Sequence, residues 1–204
     1  MNIGLFGGTF DPPHVGHLIV AQDAVQVLSL DRLWFVPAAE PPHKRGRAIT
    51  PANIRLEMLH AAIRGEPRFE VCALELQRGG PSYTVDTLRQ LHAAGTTANL
   101  HLLVGADQAR DLASWREPQE IARLARIIVL SREGVETLTQ QPLLQVREIR
   151  VTRIDVSASD IRERVARGRP IRYLVPAAVE DIIQSRHLYR VNVPNGDAQA
   201  GVAS

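Results

Sequence analysis

Ile3-Gly4-Leu5-Phe6-Gly7-Gly8-Thr9-Phe10-Asp11-Pro12-Pro13-His14-Val15-Gly16-His17 is the stretch on which the reading of this chain turns. Its short apolar run predicts a strand over 2–6 that stops at a glycine pair. The proline pair Pro12-Pro13 stiffens the backbone just ahead of His14. Two histidines then flank a glycine where the pattern over 15–28 predicts a helix. A helix start presents unpaired backbone N–H groups and a partial positive charge, which together suit an anion. Gly7 and Gly8 let a phosphate come close to the backbone. His14 and His17 are three positions apart, which puts both imidazoles on one face of the first helical turn. Imidazole is a compact donor that also protonates near neutral pH, so it can bond a phosphate oxygen while charge builds there. An isolated H-x-G-H reads as readily as a plain capped turn. Strand, glycine pair, proline pair and histidines taken together are far more specific, and they point to a site for a nucleoside triphosphate.

Working outward, strand and helix patterns alternate. Further strands are expected at 32–36, 69–74, 99–104, 126–130 and 146–151, and helices at 51–64, 83–94, 117–124, 157–167 and 176–186. Thr50-Pro51 reads as an N-cap followed by proline at the first helical position, and Pro118 also sits near a helix start. Gly168 is placed to end the helix carrying Ile161 and Val165. Helices between strands imply crossovers, hence an α/β fold with a doubly wound, mostly parallel sheet and helices on both faces. One domain is expected over 1–190, with a disordered tail over 191–204 rich in Gly, Ala, Asn and Asp. In such sheets ligands bind beyond the carboxyl ends of the strands. The polar motifs follow that rule: Pro41-Pro42-His43-Lys44 after the second strand, Ser82-Tyr83-Thr84 after the third, Gly105-Ala106-Asp107 and then Trp115 after the fourth, and Ser131-Arg132 after the fifth. Late in the chain, Ser157-Ala158-Ser159-Asp160-Ile161-Arg162 opens a helix. Its serines can cap that helix, while Arg162 can hold a phosphate bidentately.

Composition narrows the function. With 45% hydrophobic and 23% charged residues, the 204-residue chain has the profile of a soluble domain. The net charge of +2 comes with no basic face of interleaved aromatics, so nucleic acid is not expected as a partner. The basic stretch His43-Lys44-Arg45-Gly46-Arg47, with Arg55 shortly after, reads either as a solvated loop or as a phosphate clamp. No apolar run nears the roughly 20 residues that span a bilayer, and no leader is read at the N-terminus. Cys72 is the only cysteine; it reads as a buried structural thiol and leaves a cytoplasmic setting as the default. Neither a Walker A lysine motif nor G-x-G-x-x-G is present, which disfavours a redox dinucleotide domain.

These residues resemble the nucleotidyltransferase superfamily that shares the H-x-G-H motif. GGTFDPPHVGH, PPHK, SYTVDT, GAD, the later tryptophan and S-x-S-x-I-R, in that order over about 1–190, are similar to bacterial nicotinate-nucleotide adenylyltransferase. The resemblance implies a Rossmann-like nucleotidyltransferase fold and adenylyl transfer from ATP to nicotinate mononucleotide, giving deamido-NAD and pyrophosphate. It implies that His14 and His17 contact the ATP phosphates, with His17 the first choice for the transition state. Lys44 and Thr9 would meet the mononucleotide phosphate, and Arg162, Ser157 and Ser159 the β- and γ-phosphates. Gly105 and Asp107 would bind adenosine, and Trp115 with Ser82, Tyr83 and Thr84 would frame the pyridine ring. Gly7, Gly8, Phe10 and Arg132 complete the implied binding set. Mg²⁺ would be held mainly by the nucleotide phosphates and water, with no protein metal site. Two departures stand out: Ala158 lacks the hydroxyl found at that point in relatives, where Ser159 also replaces threonine, and Arg116 stands where many relatives have an aromatic. Phosphopantetheine adenylyltransferase, a cytidylyltransferase and a nucleotide-binding sensor without turnover remain as rivals. The sequence leaves homo-oligomerisation open.

Overall fold

In the computed structural model, which describes residues 1–41, 49–131 and 144–190, the opening apolar run becomes strand β1 (Asn2–Gly8), inside a six-stranded sheet. The other strands are β2 (Arg32–Pro37), β3 (Phe69–Val71), β4 (Asn99–Gly105), β5 (Arg126–Ser131) and β6 (Val146–Arg150). Across the sheet they run β3-β2-β1-β4-β5-β6, and every pairing is parallel. Strand order reverses between β1 and β4, so the switch point lies at the carboxyl ends of these two strands.

The crossovers are helical: α1 (Val15–Leu28), α2 (Ala52–Ala62), α3 (Leu74–Arg78) with α4 (Thr84–Ala93), and α5 (Ala106–Ala109) with a 3₁₀ turn (Leu112–Ser114) and α6 (Pro118–Leu124). After β6 come α7 (Ala158–Ala166) and α8 (Ala177–Ser185). Side chains alternate across each strand and bury both faces of the sheet. Ile3, Leu5, Leu102 and Val104 meet Val85 and Leu88 of α4 and Ile121 of α6. On the other face Leu33, Phe35, Leu103 and Ile128 meet Val20, Ala21 and Val25 of α1 and Leu59 of α2. A third cluster joins Met58 of α2 to Ile161 of α7 and to Val179 and Ile183 of α8. Each such buried side chain contributes about 1.5–3 kcal/mol relative to exposure, and Ile161 is the one fully buried residue through which α7 is anchored.

All six expected strands are present, with local differences. The third is shorter than 69–74 because it ends at Val71; the Cys72 N–H reaches the Phe35 carbonyl, and the Ala73 carbonyl then accepts from Gln77 to start α3. Helix α2 begins one residue later than expected, with Pro51 rather than Thr50 at the cap. Thr50 is committed elsewhere: its N–H donates to Asp11 Oδ2 (3.2 Å) and its carbonyl accepts from Arg55 Nε (2.9 Å). Gly168 ends α7 at φ +65°, a conformation free of Cβ cost only in glycine. Cys72 is half-buried, and burial pushes its thiol pKa up. His101, 5% exposed inside β4, has no hydrogen-bond partner at either ring nitrogen among the described residues, and burial holds its pKa below the ordinary value. No described helix is long and apolar enough to cross a membrane. The tail 191–204 lies outside the described residues.

Candidate active site

A cavity of about 680 Å³ opens where β1 and β4 end, at the switch point. Its phosphate-sized end is built from the β1–α1 loop. Gly7 and Gly8 finish β1 on the cavity wall, and a Cβ on Gly8 would come within 2.8 Å of the Phe10 ring. Phe10 is expected in the binding set, but the structure turns it away from the cavity. It is 2% exposed, sits at φ +50°, and meets the His17 ring edge-on with centroids 5.0 Å apart. Phe10 therefore braces His17 from beneath.

His14 is the N-cap of α1, in extended backbone, and His17 is the third helical residue. The His14 backbone N–H donates to His17 Nδ1 at 3.2 Å. An imidazole nitrogen that accepts carries no proton, so the neutral His17 ring bears its hydrogen on Nε2 and is a donor there. The two imidazoles stack with centroids 3.7 Å apart, and both line the cavity. Gly16 belongs to the same packing: a Cβ there would lie 3.1 Å from His14 Nδ1 and press on the ring.

A second helix starts at the same cavity. Ser157 caps α7, its Oγ accepting from the Asp160 N–H at 3.1 Å. Ser157, Ala158, Ser159 and Arg162 all line the cavity. Arg162 donates to the Asp11 carbonyl (2.7 Å) and to Ser159 Oγ (3.2 Å). Two helix N-termini, two imidazoles and a guanidinium thus converge, a donor set that fits a polyphosphate.

The opposite end is aromatic. Ser82, Tyr83 and Thr84 lead into α4, and Trp115 closes the 3₁₀ turn half-buried; all four line the cavity. Ser82 Oγ accepts from the Ala39 N–H at 2.9 Å, which ties the β3–α4 segment to the loop after β2. Arg116 is exposed, and its guanidinium lies 4.9 Å over the Tyr83 ring and donates to Asp86 Oδ2 at 3.3 Å. Gly105 caps α5 and Asp107, exposed, stands in its first turn at the cavity rim. Thr9 lines the cavity as well. Lys44 and Arg132 lie outside the described residues.

Four further residues, none of them in the expected binding set, support the site. Arg55, grouped above with the basic stretch, is neither solvated nor a phosphate clamp. It is 1% exposed and donates to the carbonyls of Thr50 (2.9 Å), Thr9 (2.8 Å) and Ala39 (3.4 Å), stitching three loops. Burial lowers its pKa, an effect opposed by the nearby Asp11 charge. Asp11, 5% exposed, accepts from the Tyr189 hydroxyl at 2.6 Å. Glu75, also buried, accepts from Thr87 Oγ1 at 2.7 Å and lines the cavity. Asp11 stands inside the β1–α1 motif and was legible as a candidate; Tyr189 and Glu75 carry no such signal in the sequence around them. Among the described residues no group of three or more His, Cys, Asp or Glu side chains is placed to hold a metal ion.

Residues 5–164 match the Cytidylyltransferase-like family. The chain is 47% identical over 195 residues to a probable nicotinate-nucleotide adenylyltransferase of Thermomicrobium roseum, covering 92% of this chain and 91% of the relative. It is 45% identical over 190 residues to one of Thermus thermophilus, covering 93% and 100%. Among solved structures, nicotinic acid mononucleotide adenylyltransferase of Plasmodium falciparum complexed with NaAD superposes with a TM-score of 0.74 at 18% identity, covering 92% of this chain and 97% of that one. At that identity the likeness speaks for the fold.

Proposed function

Because the chain belongs to the Cytidylyltransferase-like family and, within it, to the nicotinate-nucleotide adenylyltransferases, we propose that it joins ATP to nicotinate mononucleotide, giving deamido-NAD and pyrophosphate in NAD biosynthesis. The observation that carries the reading is one cavity with a phosphate-binding end and an aromatic end, at the switch point of a parallel sheet.

A phosphate oxygen of the mononucleotide attacks the α-phosphorus of ATP, a new P–O bond forms, and the bond to the β-phosphate oxygen breaks as pyrophosphate leaves. A phosphomonoester is already a nucleophile, so no base is required of the protein. Catalysis is then alignment plus stabilisation of charge on the transferring group. His17 supplies the Nε2 donor to the α-phosphate as charge develops, with His14 stacked beside it. Arg162, Ser157 and Ser159 take the β- and γ-phosphates. The backbone N–H groups at the start of α7 offset the hydroxyl that Ala158 lacks. Gly105 and Asp107 receive the adenosine, Asp107 accepting from ribose hydroxyls. Trp115 stacks on the electron-poor pyridine ring against Tyr83, and the N–H groups near Thr84 and after Trp115 meet its carboxylate. By the family resemblance, Thr9 and Lys44 hold the mononucleotide phosphate and Arg132 belongs to the binding set. Mg²⁺ bound with the nucleotide would supply charge neutralisation for the phosphates; the donors at this end are imidazole, hydroxyl and guanidinium, which fit phosphate oxygens and would leave the metal to nucleotide and water. A cytoplasmic setting belongs to the same reading.

The test is pyrophosphate release from ATP and Mg²⁺ with nicotinate mononucleotide, nicotinamide mononucleotide or phosphopantetheine as acceptor. Release with the nicotinate form well above the other two is expected. Equal release with the amide discards the carboxylate contacts, and release with phosphopantetheine alone discards the substrate.

A further inference from the structure

The loop from Thr9 to His14 leads into the catalytic imidazole without regular structure of its own, so side chains from elsewhere must hold it. Two of them come from the C-terminal helical layer and converge on one residue. Arg162 of α7 donates to the Asp11 carbonyl at 2.7 Å, and the Tyr189 hydroxyl, beyond α8, donates to Asp11 Oδ1 at 2.6 Å. The other carboxylate oxygen accepts from the Thr50 N–H at 3.2 Å. The layer that presents both groups is itself pinned to α2 through Ile161 and Ile183, 0% and 1% exposed.

Tyr189 reaches Asp11 at a conformational cost. Its φ is +60°, a left-handed value that residues with a Cβ adopt rarely; His187, at +51°, ends α8 in a Schellman motif, its N–H and that of Leu188 donating to the carbonyls of Gln184 and Ile183. Strained backbone persists where surrounding structure over-determines it, and it concentrates at functional sites. The ring also packs against the third cluster, but phenylalanine would pack equally well there. Only the hydroxyl reaches the carboxylate, and a buried carboxylate oxygen needs its donor.

We propose that Tyr189 is a positioning residue for adenylyl transfer: by bonding Asp11 it locks the Thr9–His14 loop to the C-terminal layer, so that His14, His17 and Arg162 share one fixed register. The role rests on the adenylyl-transfer reading of the cavity. If the bond is lost, the loop relaxes against Arg162, and the donors that must meet the phosphates together lose their common frame. A misplacement of about 1 Å at such a site costs up to about 10²-fold in rate.

The experiment measures steady-state pyrophosphate release by the full chain and by Tyr189→Phe, Asp11→Ala, the double variant and Leu188→Ala, each checked as folded by circular dichroism. Tyr189→Phe is expected to lower kcat about tenfold, while the KM for nicotinate mononucleotide rises by less than kcat falls, because only that substrate's phosphate, through Thr9, meets the loop. The double variant is expected to be no worse than Asp11→Ala alone, since that change already removes the acceptor of the Tyr189 hydroxyl, along with that of the Thr50 N–H. Leu188→Ala loosens the same segment and keeps the hydroxyl, and is expected to retain most of kcat. A wild-type kcat in Tyr189→Phe, multiplying losses in the double variant, or an equal loss in Leu188→Ala would each overturn the proposal. If Asp11→Ala does not fold, the comparison of Tyr189→Phe with Leu188→Ala decides alone. No turnover by the wild-type chain would overturn the adenylyl-transfer reading and this role with it; normal wild-type turnover with an unaffected Tyr189→Phe would overturn this role only.

Discussion

The two ends of the cavity are held in different ways. At the phosphate end the supporting polar groups are buried and cross-tied: Arg55 joins three loops, Asp11 joins Tyr189 to Thr50, and His17 accepts from the backbone of His14. At the pyridine end the wall is aromatic; one buried polar pair, Glu75 with Thr87, stands behind it, and the charges around Arg116 are half-exposed. Arg116, whose side chain is 50% exposed, is shared between Asp86 and Glu117, and Glu117 is shared again with Arg89. Transition-state stabilisation needs donors that do not reorganise while charge develops. Recognition of an aromatic ring needs surface area and little angular precision. The chain places most of its buried polar contacts where geometry decides rate and leaves apolar stacking where it decides affinity.

The largest break in this contrast comes at His17. Replacing it with alanine removes the Nε2 donor and the acceptor that holds the His14 N–H. On the scale of one lost oxyanion-type donor, kcat falls about 10²–10³-fold, or about 2.7–4 kcal/mol. Binding of ATP changes much less, because Arg162 and the two helix starts remain. Steady-state kinetics check this, and a near-normal kcat would sink the role given to His17. The aromatic end responds differently. Trp115→Ala is expected to weaken nicotinate mononucleotide about tenfold, at about 1–2 kcal/mol of lost stacking, with ATP affinity little altered. Separate titrations of the two ligands measure it, and equal losses for both would erase the division between the ends.

The contrast also explains which parts were legible in the sequence. Buried parallel strands are apolar runs, so β1, β2, β4 and β5 announce themselves, and glycines, prolines and histidines mark the β1–α1 loop because each is there for a local reason. Residues 72–74 misled because a short apolar run looks the same in a strand and in a helix start; α3 and α5, with five and four residues, are too short to show a period. Arg55 misled for a deeper cause. Its neighbours in sequence are basic, but its partners are the carbonyls of Thr9, Ala39 and Thr50, brought together only by the sheet. The Tyr189–Asp11 bond spans 178 positions and has no local pattern at all. The side chains proposed to meet the ligand are written in compact motifs; the ones that hold those side chains still are set by tertiary contacts, and a single sequence does not display them.

Arg116 offers the finest probe of the contrast. It stacks on Tyr83 at the aromatic end, where a cation would attract the pyridine carboxylate and so favour the acid over the amide. Its charge is already opposed by Asp86 at 3.3 Å and Glu117 at 3.8 Å, and solvent screens what remains. Exposed ion pairs of this kind contribute about 0.2–1 kcal/mol, so Arg116→Gln is expected to reduce the ratio of kcat/KM for the nicotinate and nicotinamide mononucleotides by less than about fivefold. The reduction should shrink further as ionic strength rises to about 1 M, where the screening length falls to about 3 Å. Measuring the ratio for both proteins at low and high salt tests this directly. A loss of about tenfold or more that persists in high salt would mean that Arg116 is held as rigidly as the phosphate-end donors, and that this cavity has two preorganised ends instead of one.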